Sequence, residues 1–174
     1  MTTPLPGPKG VIIVYPHTSN WDFIVAVLFR FGTGLRANWI GKDSLFRWPL
    51  RGLLLRTGGV PVNRREATGF IGSVLKQYAA SDWMWLALAP EGTRGHTDHL
   101  KSGFYRIALG AGVPCGLGFV DYPTRTLGIG RFVEFSGDPE ADLALLNDFY
   151  ADKRGREPDN AGTIRFRDPP REER

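Results

Sequence analysis

Two predicted strands are apolar without interruption, and they constrain the fold more than any other feature. They are residues 11–15 (VIIVY) and residues 83–89 (WMWLALA). An uninterrupted apolar run of this length is typical of a strand covered on both faces, because a strand with one solvated face alternates apolar and polar residues. Segments with helical spacing lie between such runs. The sequence therefore predicts an α/β fold with a largely parallel central sheet flanked by helices.

The other segments complete one domain of this kind. We expect helices at residues 21–31, 43–56, 68–80, 103–109 and 139–150, and extended segments at 37–41, 60–63, 113–120 and 127–135. Pro49 should kink the second helix, and Pro61 disfavours a central strand at 60–63. A chain of 174 residues fits a single domain. We assign residues 1–10 to a loose lead-in, 11–150 to the domain and 151–174 to a charged C-terminal strap or tail.

Basic residues are concentrated in the first part of the chain. Residues 1–65 contain nine of the 22 lysines and arginines but only two of the 18 acidic residues. This asymmetry indicates an anionic partner near the first half: phosphates, an anionic lipid surface or nucleic acid. A scattered, solvated surface is the alternative interpretation.

The segment at residues 44–56 is a candidate for membrane contact. It interleaves leucine and aromatic residues with Arg47, Arg51 and Arg56, as in a helix that lies on an anionic membrane surface. An ordinary amphipathic helix packed on the sheet has the same pattern. The longest apolar stretch, residues 23–29, is too short to span a bilayer, and no basic-then-apolar leader opens the chain. We expect a cytoplasmic protein, peripheral on the inner face of the membrane.

Polar residues follow three of the predicted strands directly. His17 follows the first strand, Arg64 follows the strand at 60–63, and Glu91 to Arg94 follow the strand at 83–89. Strands joined by right-handed crossovers carry their carboxyl ends at one edge of the sheet, where α/β proteins bind ligands. We therefore expect these residues to converge on one site.

His17 and Asp22 are suited to general base catalysis. Imidazole titrates near neutrality, and a carboxylate on its second nitrogen fixes the tautomer and stabilises the imidazolium. A turn that enters a helix can bring these two side chains together. The same residues have another interpretation, because Ser19 and Asp22 also match a helix-capping pair, which would leave His17 as a simple loop histidine.

The run from Pro90 to Gly95 is suited to anion binding. Gly92 allows close approach of backbone to a ligand, and Arg94 offers a bidentate fork to phosphate. Lys101 adds a second cation near a helix start. A surface turn with a local ion pair and a solvated lysine explain these residues equally well.

Together these blocks resemble the glycerolphosphate and lysophosphatidate acyltransferase superfamily. The blocks, in order, are His17-x4-Asp22, Gly58-x-x-Pro61-Val62-Asn63-Arg64, Pro90-Glu91-Gly92-Thr93-Arg94 and Lys101-x-Gly103. The resemblance covers roughly residues 10–120. It implies that His17 is the general base and Asp22 its orienter, and that the acceptor is bound by Arg64, Glu91, Gly92, Thr93, Arg94 and Lys101.

The resemblance also implies the reaction. Members transfer a fatty acyl group directly from acyl-CoA or acyl carrier protein to a lysophospholipid-type hydroxyl, without an acyl-enzyme and without a metal or cofactor. The default reaction converts lysophosphatidate to phosphatidate. The expected partners are thus the donor thioester, the lipid acceptor and the membrane, and not nucleic acid.

Two rival functions come from other classes. A metal-dependent hydrolase would use His17 and Asp22 with His96, Asp98 and His99, since His-x-Asp-His supplies suitable zinc ligands. A basic nucleic-acid-binding module would explain the positive charge, but the sequence contains no recognition motif, and its basic residues lie among leucines.

Overall fold

A six-stranded sheet forms the centre of the protein in the computed structural model, which describes residues 4–62 and 69–167. The strands are β1 (Lys9–Val14), β2 (Asn38–Lys42), β3 (Gly59–Val62), β4 (Met84–Leu88), β5 (Cys115–Asp121) and β6 (Thr126–Val133), in the order β3-β2-β4-β1-β5-β6. The first five are parallel, and β6 is antiparallel to β5. The helices are α1 (Asn20–Thr33), α2 (Arg51–Arg56), α3 (Phe70–Ala80), α4 (Gly103–Ala111) and α5 (Pro139–Tyr150). The predicted α/β class is confirmed.

The two faces of the sheet are covered differently. Alternate residues of a strand point to opposite faces. Val11 and Ile13 of β1 belong to the main core, which also contains buried residues of α3, α4 and α5. Ile12 belongs to a smaller core on the other face, with Trp85 and Ile129. Residues of α1 lie over that second face, where they border a cavity.

Pro61 lies in β3, which is an edge strand of the sheet that the described residues form. Proline has no backbone N–H, so it is tolerated where one side of the strand makes no ladder bonds. β3 pairs with β2 in register, with Pro61 opposite Gly41. The sequence argument against a central strand at this position is consistent with the observed place of β3.

The continuous helix predicted for residues 43–56 is wrong. A single 3₁₀ turn at Asp43–Leu45 is followed by irregular chain, and α2 begins only at Arg51. Pro49 lies in the gap. A proline in a helix interior lacks the N–H for the i−4 bond and clashes with the preceding turn, and here it interrupts the helix instead of kinking it.

The chain after α5 runs back along the body of the domain. It contains a 3₁₀ turn at Pro158–Asn160, and Phe166 forms a parallel bridge with Leu100. No helix within the described residues is long and apolar enough to cross a membrane.

Candidate active site

His17 and Asp22 are brought together where β1 passes into α1. Ser19 is the N-cap of α1, in an extended conformation, so the chain turns sharply between the strand and the helix. This turn places Nδ1 of His17 3.2 Å from Oδ2 of Asp22. The His17 side chain is 21% exposed, whereas that of Asp22 is only 1% exposed. The sequence prediction that the two side chains meet agrees with this geometry.

Asp22 is both the helix cap and the partner of His17. Its Oδ2 accepts hydrogen bonds from the backbone N–H groups of Thr18 (2.8 Å) and Ser19 (2.9 Å). Its Oδ1 accepts a hydrogen bond from the hydroxyl of Tyr122 across 2.8 Å. The two interpretations of the sequence are therefore compatible, because one carboxylate has enough acceptor capacity for the cap and for the imidazole.

Hydrogen bonding keeps Asp22 ionised. Burial raises the pKa of Asp22, but hydrogen bonds from His17, Ser19 and Tyr122 outweigh burial and hold the pKa below its usual value. An ionised carboxylate only accepts hydrogen bonds, so Nδ1 of His17 is the protonated ring nitrogen. The lone pair then lies on Nε2, which is the arrangement that a general base requires.

Tyr122 is a site residue that the sequence did not reveal. It lies in the turn between β5 and β6, in no recognisable motif and far from Asp22 in the sequence. Burial and then the hydrogen bond to Asp22 raise the pKa of Tyr122 to about 12, so the hydroxyl remains a donor at physiological pH. Only the pairing of β5 beside β1 brings this turn to His17 and Asp22.

Glu91 is tied to the backbone of the protein. The residue is 2% exposed. Its Oε2 accepts the N–H of His17 across 2.6 Å, and its Oε1 accepts the N–H of Gly162 across 2.8 Å. Burial raises the pKa of Glu91, partly offset by these two hydrogen bonds. The carboxylate thus positions the His17 backbone, whereas the sequence interpretation gave it a contact with the acceptor.

The rest of the loop that follows β4 is more open. Gly92 has a positive φ of 65°, and a Cβ at this position would lie 2.8 Å from Cε of Lys101, so the Lys101 side chain packs across the glycine. Thr93 and Arg94 are exposed. The structure therefore brings Gly92 and Lys101 together and leaves Thr93 and Arg94 at the surface of the same loop. Arg64 lies outside the described residues.

The proposed metal ligands do not form a metal site. His99 Nδ1 lies 2.6 Å from Oδ1 of Asp98, and Arg165 pairs with the other oxygen of Asp98 at 3.3 Å. Across residues 4–62 and 69–167, no group of three or more histidine, cysteine, aspartate or glutamate residues is placed to hold a metal ion. The hydrolase alternative has no support in this geometry.

His17 and Asp22 both line a mostly apolar cavity of about 170 Å³. It lies between α1 and the second face of the sheet. The walls are mostly apolar side chains from α1 and from five strands; they include Phe23, Ala26, Val27, Ile12, Val14, Trp39, Ala87, Val120 and Ile129. An apolar cavity beside an imidazole–carboxylate pair is suited to a substrate that carries a hydrocarbon chain.

A family model for acyltransferases matches residues 2–124, which is more than half of the chain. The chain belongs to the Acyltransferase family. The resemblance to the glycerolphosphate and lysophosphatidate acyltransferase superfamily is thereby confirmed, and the protein is an O-acyltransferase. Comparison with the curated proteins and with the solved structures found no significant match.

The matched region of this acyltransferase contains His17, Asp22, Glu91 and Tyr122, but not the whole site. The match ends at residue 124. β6, α5 and the chain from residue 151 onward lie beyond it, and that later chain supplies the Gly162 N–H that contacts Glu91.

Proposed function

We propose that the protein transfers a fatty acyl group from acyl-CoA or acyl carrier protein directly to a hydroxyl of a lysophospholipid-type acceptor. The default reaction is the conversion of lysophosphatidate to phosphatidate. The observation that carries this proposal is the pair of His17 and Asp22 in the lining of the apolar cavity.

The chemistry follows from the orientation of His17. Nε2 takes the proton of the acceptor hydroxyl as its oxygen attacks the thioester carbonyl carbon, and Asp22 stabilises the imidazolium that forms. The new C–O bond forms, the C–S bond breaks, and the imidazolium returns the proton to the leaving sulfur. Direct transfer is favoured because Cys115, the only cysteine, is fully buried and burial raises its pKa.

The cavity behind His17 is suited to the acyl chain. Burying a methylene group stabilises a complex by about 0.8 kcal/mol, so a chain of several carbons would supply most of the binding free energy of a lipid substrate. Ala26 and Val27 of α1 lie in the wall, and the size of these side chains limits the space available.

The loop after β4 is the proposed site for an anionic acceptor head group. Lys101 crosses Gly92, and Arg94 and Thr93 are exposed beside them. Guanidinium and ammonium groups bind phosphate oxygens well. Arg64 remains part of the proposed set. Glu91 is proposed as a positioning residue because its oxygens already accept two backbone N–H groups.

One face of the protein is proposed to contact an anionic membrane surface. Most of the large apolar side chains that are exposed in the described residues lie on α1 or in residues 45–55. These are Trp21, Ile24, Leu28 and Phe31 of α1, and Leu45, Trp48, Leu50, Leu53 and Leu55. We call them the apolar face. Exposed apolar patches of this extent are typical of protein or membrane contacts.

The two parts of the apolar face lie on the same side of the sheet. Phe23 of α1 contacts Trp39 of β2 with a ring-centroid distance of 4.6 Å, and Trp39 stacks on Phe46 at 5.5 Å. Phe46 is buried, whereas Trp48, two residues later, is 91% exposed. The segment at 44–56 therefore packs on Trp39 through Phe46 and exposes most of its other apolar residues.

Charge favours an anionic membrane as the partner. Lys42, Arg47, Arg51 and Arg56 are exposed among these apolar residues, while Asp43 is the one exposed acid between residues 20 and 56. Arginines beside leucine and tryptophan side chains are typical of segments that lie in a lipid interface. We propose a cytoplasmic protein, peripheral on the inner face of the membrane, with the apolar face toward the lipid that supplies the acceptor.

A thiol-release assay tests the proposed reaction. Purified protein is given acyl-CoA or acyl carrier protein donors with lysophosphatidate, glycerol 3-phosphate or a lyso-aminolipid, and the product is identified by its mass. We expect release with lysophosphatidate, loss of release in His17→Ala, and unchanged release in the matched control His96→Ala, whose side chain is exposed. Near-normal turnover of His17→Ala would show that the mechanism is wrong.

A further inference from the structure

Residues 154–166 pass along the edge of the sheet that carries His17 and Glu91. We call this segment the C-terminal strap. Its backbone contacts each neighbouring loop: Arg154 N–H donates to Oδ1 of Asp121 (2.9 Å), Glu157 N–H to Oγ1 of Thr18 (3.2 Å) and Gly162 N–H to Oε1 of Glu91 (2.8 Å). All of it lies beyond residue 124, where the match to the family model ends.

The contact with Glu91 continues to His17. Glu91 holds the Gly162 N–H with one carboxylate oxygen and the His17 N–H with the other. The carboxylate is buried, so loss of either donor would leave an acceptor without a partner in a site of low polarity. The N–H of Gly162 is therefore connected to the N–H of His17 through the carboxylate of a single side chain.

Gly162 is held from its other side as well. The hydroxyl of Tyr15, two residues before His17, donates to the carbonyl of Gly162 across 2.6 Å. Burial and the Glu91 charge raise the pKa of Tyr15 to about 12, so this hydroxyl remains a donor. Both backbone polar groups of Gly162 thus bind to residues that flank or support His17.

The C-terminal strap packs closely against the site at two glycines, Gly155 and Gly162. A Cβ at Gly162 would lie 2.7 Å from Cγ2 of Thr97 and 3.1 Å from Cγ of Glu91. A Cβ at Gly155 would lie 2.5 Å from Oγ1 of Thr18. All three distances are shorter than two packed, non-bonded atoms allow unless one of them moves. A methyl group at either position would displace the loops that carry Glu91 or His17.

We propose that Gly162 and Glu91 are positioning residues, and that the C-terminal strap holds the His17 backbone where Nδ1 meets Asp22. The active site is incomplete without this segment, although the family match lies entirely before it. A kinetic test of this proposal rests on the proposed acyltransferase function. An NMR measurement of the His17 imidazole does not depend on that function.

The experiment compares Gly162→Ala with Gly72→Ala in the full-length protein. Gly72 is exposed in α3 and has nothing within 4 Å of its Cβ position, so it controls for the added methyl group. The first measurement is the ¹⁵N–¹H NMR spectrum of the imidazoles, which is simple because the chain has three histidines, and His17→Ala assigns the His17 signal. The second is kcat and KM in the thiol-release assay.

In Gly162→Ala we expect the His17 tautomer signal to shift or broaden, and kcat to fall about tenfold with KM changed less than twofold, which corresponds to about 1.4 kcal/mol of transition-state stabilisation. Gly72→Ala should match the wild type in both measurements. An unchanged His17 signal, or an unchanged kcat in an active enzyme, overturns the proposal. If no donor and acceptor give turnover in the wild type, the proposed function fails and the NMR comparison alone decides.

Tyr15→Phe keeps the test decisive if Gly162→Ala does not fold. It removes the hydroxyl that binds the Gly162 carbonyl and leaves the ring in the core. We expect a smaller change of the His17 signal and of kcat in the same direction. A Tyr15→Phe protein with the wild-type His17 signal and kcat overturns the proposal.

Discussion

The hydroxyl of Tyr122 donates to Oδ1 of Asp22 across 2.8 Å, opposite the oxygen that faces His17. The Tyr122→Phe substitution removes this donor and with it one of the contacts that hold the Asp22 carboxylate against the imidazole. The pKa of Asp22 then rises, because the Tyr122 hydrogen bond is one of the interactions that lower it. We expect kcat to fall about tenfold, since a hydrogen bond to a charged group contributes about 1.5 kcal/mol or more. The acid limb of the pH–rate profile should move to higher pH; superimposable profiles would contradict the role of Tyr122.

Asp22→Asn and Ser19→Ala separate catalysis from helix capping. An amide at position 22 donates to Nδ1 and favours the wrong tautomer of His17, so we expect kcat to fall by roughly a thousandfold or more. Ser19→Ala removes the hydroxyl that accepts the Trp21 N–H and should cost about 1 kcal/mol of stability with kcat nearly unchanged. Thermal unfolding and the thiol-release assay measure the two effects. Equal losses of kcat in both variants would contradict the separation.

Asp22 also links stability to pH. Its pKa in the folded protein is lower than the ordinary value of 3.8, so its ionised form stabilises the folded state above that pH. This contribution is lost as the pH falls from 3.8 through the folded pKa. We expect the difference in unfolding free energy between the wild type and Asp22→Asn to be constant from pH 5 to 7 and to shrink below about pH 4. Urea unfolding at several pH values measures it, and a difference that grew on acidification would refute the assignment.

Filling the cavity should shorten the preferred acyl chain. Ala26 of α1 lines the cavity, and Ala26→Leu adds three carbons to its wall. We expect the preference in a panel of saturated acyl-CoA donors to move toward chains a few carbons shorter, through loss of kcat/KM for the longest donors. Ala144→Leu, on the exposed side of α5, is the matched control and should keep the wild-type preference. An unchanged preference in Ala26→Leu would place the acyl chain elsewhere.

The apolar face should determine binding to anionic vesicles. Leu28 is 65% and Phe31 is 60% exposed. Replacing both with serine removes apolar area that would enter the interface, and we expect the partition coefficient on phosphatidylglycerol vesicles to fall about tenfold or more. Leu109→Ser on α4, at the other face of the sheet, is the control and should bind like the wild type. Co-sedimentation measures binding, and equal losses in both proteins would contradict a specific surface.

The sequence predicted the fold class and the contact between His17 and Asp22, because those signals are local. Continuous apolar runs such as that of β1 are a direct consequence of burial on both faces. His17 and Asp22 lie within one turn, so a short stretch of sequence contains both the cap and the proposed catalytic pair. Their meeting depends on the capped start of α1, which Ser19 already indicates.

The helix predicted from the spacing of apolar residues at 43–56 was wrong. The leucines and arginines there have a helical period, and the backbone nevertheless breaks around Pro49. The missing N–H of proline and the packing of Phe46 on Trp39 together outweigh the pattern. Phe46 is buried and Trp48 is exposed, and the sequence pattern did not show which of the two aromatic side chains would be buried.

The sequence by itself therefore determined the α/β class, the family and the nature of the chemical groups at the site. Only the tertiary structure showed that Glu91 binds the backbone N–H groups of His17 and Gly162. It also showed that Tyr122 and Gly162 lie at the site. The physical reason is sequence separation: these contacts join residues 71 to 100 positions apart, and no local pattern records which loops a folded sheet brings to one edge.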